Sequence, residues 1–127
     1  MKLLLDTNAL IWWLIDDPSL GRRARARIAD PRNQIMTSIV CLWEISIKWR
    51  VHKFDQPGTY FSGLIEEQGI GLLGVSPAHL AALEDLPFHH GDPYDHMVLA
   101  QAMAEGASIM TSDRRMTDYG VPCVGVS

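Results

Sequence analysis

Five short apolar runs punctuate the chain: KLLL (2–5), QIMT (34–37), IGLLGV (70–75), SIMT (108–111) and PCVGV (122–126). Between them lie stretches with helical periodicity, over 8–16, 20–29, 38–50, about 59–68, 77–84 and 93–105. Strand-length apolar runs alternating with helices predict an α/β sandwich on a mainly parallel sheet. No repeat, low-complexity tract or long linker interrupts the 127 residues, so a single domain over 1–127 is expected. Gly106 supplies the glycine that ends the 93–105 helix.

Composition narrows the class. With 47% hydrophobic and 20% charged residues, the chain has enough apolar surface for a core and enough charge for a solvated exterior. Cys41 and Cys123 sit in apolar runs without CxxC spacing, which predicts reduced thiols and a cytoplasmic protein. The opening MKLLLDTNALIWWLIDD resembles a signal peptide only superficially. Asp6 interrupts the apolar stretch and no small-residue cleavage site follows. No stretch is long enough to cross a membrane. The net charge of −4 hides an asymmetry, because Arg22, Arg23, Arg25, Arg27, Arg32, Lys48, Arg50 and Lys53 cluster over 22–53 against only Asp30 and Glu44. Such a split fits a phosphate-facing surface, a partner of opposite charge, or an ordinary solvated helix face.

Four acidic residues stand out by position. Asp6 follows the LLL run at a strand's end, and Asp113 repeats the pattern after SIMT. Turn formation or helix capping would explain either one alone. Glu44 is the one charge in SIVCLWEISI (38–47), a helix apolar nearly all round and therefore expected to be largely buried. An isolated buried carboxylate is costly, so Glu44 needs a proton, a metal or a basic partner, for which Lys48 at i+4 is available. In GDPYDHMVLAQA (91–102), Asp92 before Pro93 is the natural N-cap. Asp95 falls at N3, on the face carrying Val98, Leu99 and Ala102, and so points inward.

In a parallel sheet, ligands bind beyond the C-terminal ends of the strands, where the connecting helices also begin. Asp6, Glu44, Asp95 and Asp113 should all arrive at that rim. Four carboxylates together repel unless a cation or protons intervene. Hard oxygen donors without a His or Cys cluster suit Mg²⁺ or Mn²⁺, which can orient a phosphate and activate a water. Thr7, Asn8, Thr111 and Ser112 are placed to fix the carboxylates or their waters.

The stretches LLLDTNALIWWL, SIVCLWEISIKW, LPFHHGDPYDHMVLAQA and IMTSDRRMTDYGVPCV resemble, in order and over nearly the whole chain, the PIN-domain ribonucleases, and among them the VapC-type toxins of bacterial toxin–antitoxin pairs. The resemblance implies a PIN-like three-layer α/β/α sandwich with a mainly parallel sheet of about five strands. It implies Mg²⁺- or Mn²⁺-dependent cleavage of RNA, a homodimer, and inhibition by a cognate VapB-type antitoxin that wraps the toxin. The family's acidic site falls on Asp6, Glu44, Asp95 and Asp113. The usual DPFDR run reads DPYDH, so Tyr94 replaces Phe and His96 replaces Arg. If that Arg contacts RNA or a carboxylate, His96 weakens the contact or makes it pH-dependent.

Other residues divide between roles. His89 and His90 read as solvated loop histidines. Trp12, Trp13, Trp43 and Trp49 read as core or dimer packing rather than base-stacking platforms. The GRRARAR run (21–27) fits RNA phosphates or a solvated helix equally well. Arg114 and Arg115, next to Asp113, are better placed for substrate phosphate. Aspartate-nucleophile phosphatases want a second Asp where Asn8 stands, and they and receiver domains want a late Lys, yet none follows Lys53. Two rivals remain. One is a PIN-like module that binds RNA or antitoxin with little turnover, and the other is a PIN nuclease of RNA processing.

Overall fold

In the computed structural model, which describes residues 1–127, the first apolar run becomes β1 (Lys2–Leu5), the central strand of a five-stranded, all-parallel sheet. Leu3, Leu4 and Leu5 are fully buried because the strand is paired on both edges and covered on both faces. β2 (Gln34–Ser38) pairs on one side, with Leu4 beside Met36, and β4 (Ser108–Met110) on the other, with Leu4 beside Ile109. β3 (Gly71–Leu73) and β5 (Cys123–Val124) form the edges, in the order β3-β2-β1-β4-β5.

The helices are α1 (Thr7–Leu14), α2 (Arg22–Ala29), α3 (Ile39–Arg50), α4 (Gly58–Gln68), α5 (Pro77–Glu84) and α6 (Pro93–Glu105). A 3-10 helix spans Arg114–Tyr119. α1, α3 and α4 pack on one another, while α5 packs on α6 and α6 on the 3-10 helix. Strand order runs one way from β1 to β3 and the other way from β3 to β5, so right-handed crossovers put these groups on opposite faces. The result is the three-layer α/β/α sandwich expected.

Local chemistry sets the helix ends. Ser38 caps α3 by accepting the Val40 N–H, and Asp92 caps α6 by accepting those of Tyr94 and Asp95, with Pro93 in the first turn. Gly106 closes α6 at φ +64°, a conformation few side chains tolerate. α2 is amphipathic through Ala24 and Ile28. Within the GRRARAR run, Arg25 braces the preceding loop through Asp16 and the carbonyls of Leu20 and Asp17, while Arg22, Arg23 and Arg27 remain exposed. No helix is long and apolar enough to cross a membrane.

The structure corrects several expectations. The runs at 70–75 and 122–126 shrink to three and two paired residues, because an edge strand has a neighbour on one side only. The 3-10 helix has no counterpart in the sequence pattern. α3 is less buried than its apolar circumference predicts: Trp43 is 58% exposed and Trp49 43%. Neither is core, whereas Trp12 and Trp13 pack partly buried against it. Cys41 is buried and unpaired, with burial pushing its thiol up to about 12, so it is an inert core group. Cys123 is also free and half-buried in β5.

Candidate active site

The chain leaves the neighbouring strands β1 and β4 in opposite directions across the sheet, which opens a crevice beyond their C-terminal ends. Asp6 and Asp113 follow those two strands. A cleft of about 200 Å³ there is lined by Asp6, Thr7, Asn8, Glu44, Lys48, Phe54, Asp92, Asp95, Asp113 and Arg115. All four acids singled out from the sequence therefore meet in one place. Of their expected supports, Thr7 and Asn8 reach the cleft. The Thr111 hydroxyl reaches Asp6 and accepts the Asp113 N–H. Ser112 and Arg114 are exposed and do not line it.

Each carboxylate is held differently. Asp6 is the N-cap of α1, its Oδ1 accepting the Ala9 N–H at 2.9 Å. Capping and cleft lining thus coexist in one side chain. Burial, reinforced by the negative charges of Asp95 and Glu44, pushes its carboxyl up to about 6 despite the hydrogen bonds from Thr111 and Ala9. Glu44 projects from the second turn of α3 and is 9% exposed. Its Oε1 accepts the Thr7 hydroxyl and its Oε2 meets Lys48 Nζ, both at 2.7 Å, so the i+4 pair offered by the sequence is formed. Asp95 is raised by burial, an effect opposed by its hydrogen bond with His90. Asp113 caps the 3-10 helix and is held low by the Arg115 guanidinium, which grips both its oxygens.

Five carboxylates (Asp6, Glu44, Asp92, Asp95 and Asp113) line the cleft against two permanent cations, Lys48 and Arg115, an excess of three negative charges. The donors on offer are oxygens, with no imidazole or thiol among the lining groups. That donor chemistry suits a small, hard dication. Asp6 has no cationic side chain among its partners. As the side chains stand, however, no three His, Cys, Asp or Glu groups are gathered closely enough to hold an ion between them. Glu44, Asp95 and Asp113 are each drawn toward their own partner, so an ion would compete with those partners for them.

Two readings change at this site. His90 is no solvated loop residue. Its side chain is 6% exposed and bridges Asp95 and Tyr119, while His89 remains exposed. His96 touches no carboxylate; it is buried and its Nε2 meets the His90 carbonyl. Sequence reasoning missed His90, Tyr119 and Phe54 at or beside the cleft. Only the adjacency of His90 to the DPYD run pointed that way.

A family model described as PIN domain matches residues 3–122. Ribonuclease VapC22 of Mycobacterium tuberculosis is 23% identical over 121 residues, covering 94% of this chain and 92% of that protein. Among solved structures, VapBC2 from Rickettsia felis bound to a DNA fragment from their promoter aligns with a TM-score of 0.75 at 15% identity, over the whole of both chains. DNA-bound VapBC from Salmonella typhimurium aligns with a TM-score of 0.70 at 18% identity, over 100% of this chain and 99% of that one. At these identities the structural likeness speaks to the fold alone.

Proposed function

The chain belongs to the PIN domain family, and from that premise we propose that it is a divalent-metal-dependent endoribonuclease and the toxin of a toxin–antitoxin pair. The observation that carries the reading is the meeting of Asp6, Glu44, Asp95 and Asp113, from four distant points in the chain, in one cleft with an excess of negative charge. Similarity to a mycobacterial ribonuclease supports RNA phosphodiesters as the substrate class.

A bound Mg²⁺ or Mn²⁺ would neutralise charge at the scissile phosphate and make a water nucleophilic near neutral pH. The protein's own groups do the rest. Asp6, without a cationic partner, offers the least committed charge to an ion. Thr7 fixes one oxygen of Glu44 and Lys48 the other. Lys48 and Arg115, at the cleft's wall, are the cations we assign to the phosphate backbone. Similarity to VapBC structures supports an antitoxin of the VapB type as partner. A homodimer and a cytoplasmic setting complete the proposal, the latter in keeping with two unpaired cysteines.

One observation favours a second reading, a module that binds RNA or antitoxin with little turnover. Three of the four acids are already held by a Lys, His or Arg side chain, and no ion-holding group of three is formed. Cleavage of structured RNAs decides between them, with chelator and with Mg²⁺ or Mn²⁺ restored, beside Asp6→Asn purified identically. Metal-restored cutting that the variant lacks is expected. Absence of cutting across several RNAs supports the binding module, and equal cutting by both proteins means a contaminant.

A further inference from the structure

Beside the cleft, the partners of Tyr119, His90 and His96 can be assigned as donors and acceptors one by one. Tyr119, in the 3-10 helix, is 4% exposed, and its hydroxyl oxygen accepts the backbone N–H groups of His89 at 3.1 Å and His90 at 3.0 Å. With both lone pairs used, the hydroxyl has one proton to give. Two imidazole nitrogens are in reach: His90 Nδ1 at 2.7 Å and His96 Nε2 at 3.3 Å. His96 Nε2 also meets the His90 carbonyl oxygen, which can only accept, so this nitrogen carries a hydrogen and cannot take the tyrosine proton. The Tyr119 hydroxyl therefore donates to His90 Nδ1. The ring's proton is left on Nε2, which donates to Asp95 Oδ2 at 2.9 Å.

We infer that Tyr119 and His90 are positioning residues for Asp95. Tyr119 sets the tautomer and tilt of the His90 ring, and His90 orients the Asp95 carboxylate toward a divalent cation in the cleft. This role rests on the metal-site reading of Asp95, whereas the tautomer follows from the partners of Tyr119 whatever the cleft binds. A neutral imidazole is suited to the task because it orients a carboxylate without cancelling its charge. The contrast is with Asp113, whose charge is matched by Arg115. An outer hydrogen bond of this kind ordinarily affects metal affinity by about 10- to 100-fold.

Two measurements test it. Long-range ¹H–¹⁵N correlation at pH 8 on the unmutated protein reads which ring nitrogen of His90 bears hydrogen. The Nε2–H tautomer is expected, with a weaker preference for it in Tyr119→Phe, where Asp95 alone still favours that form; an Nδ1–H form in the unmutated protein overturns the assignment. Mn²⁺ titration then compares His90→Gln, whose amide can stand in for the Nε2–H donor, with His90→Ala. Affinity should stay within about threefold for Gln and fall about tenfold or more for Ala. Equal losses in the two variants, or none in His90→Ala, overturn the positioning role, since a part in folding alone does not distinguish them. If the unmutated protein takes up no Mn²⁺, the metal reading falls and the role with it. The tautomer spectrum still decides the hydrogen-bond assignment, even where a variant does not fold.

Discussion

At Asp6 a single carboxylate closes the first turn of α1 and carries a half-buried acid into the cleft. Its carboxyl is raised from 3.8 to about 6, so the folded chain holds this proton more tightly than the unfolded chain does. That contribution is fully present below pH 3.8 and is lost as pH rises through about 6. Asp6→Asn keeps a good N-cap and removes the charge. In the absence of metal it should be more stable than the unmutated protein at pH 8, by on the order of 1–3 kcal/mol. The difference should shrink toward pH 4, as thermal melts across that range would record. An Asn variant less stable at pH 8 would mean that the charge is already compensated. Asp6, Glu44, Asp95 and Asp113 were legible because each is an acid at a strand end or on an apolar face. His90 and Tyr119 were not, since their role depends on a contact across 29 residues that no local pattern encodes.

Among the elements, α3 and α4 meet at a point that a small residue makes possible. A β-carbon on Gly58 would lie 2.2 Å from Ser46 Oγ and 2.5 Å from the Leu42 carbonyl oxygen. The serine can rotate away but the carbonyl belongs to the helix backbone. Gly58→Ala should therefore cost about 1–3 kcal/mol by overpacking, read as a lower urea midpoint, and an unchanged midpoint would show that α4 shifts freely. Because α3 carries Glu44, that cost is also a strain on the cleft's wall. Element order and type were readable from periodicity; the extent of the edge strands was not, because pairing on one side leaves no mark on composition. Nor did the apolar circumference of α3 reveal that Trp43 and Trp49 face outward. Hydrophobicity registers that a side chain avoids water without saying whether its own chain covers it.

For the whole molecule, the sheet order is what turns four scattered acids into one site. β1 and β4 are neighbours although their ladder partners Leu3 and Ser108 lie 105 positions apart in the chain, and the helices that connect the strands start at the same rim. That much follows from parallel topology, and the family resemblance reached the same residues independently. What topology could not supply is the set of donors standing among the acids. Two cations, Lys48 and Arg115, and the imidazole of His90 hold Glu44, Asp113 and Asp95 in place. A dication should therefore bind by displacing or sharing these partners, with Asp6 anchoring it. Calorimetric titration of Mn²⁺ at pH 7.5 tests this most directly, on the unmutated protein and on Asp6→Asn, Glu44→Gln, Asp95→Asn and Asp113→Asn. A saturable uptake that each substitution weakens by more than about tenfold is the predicted result. Four variants that bind Mn²⁺ as the unmutated protein does would contradict it, because the ion would then lie elsewhere.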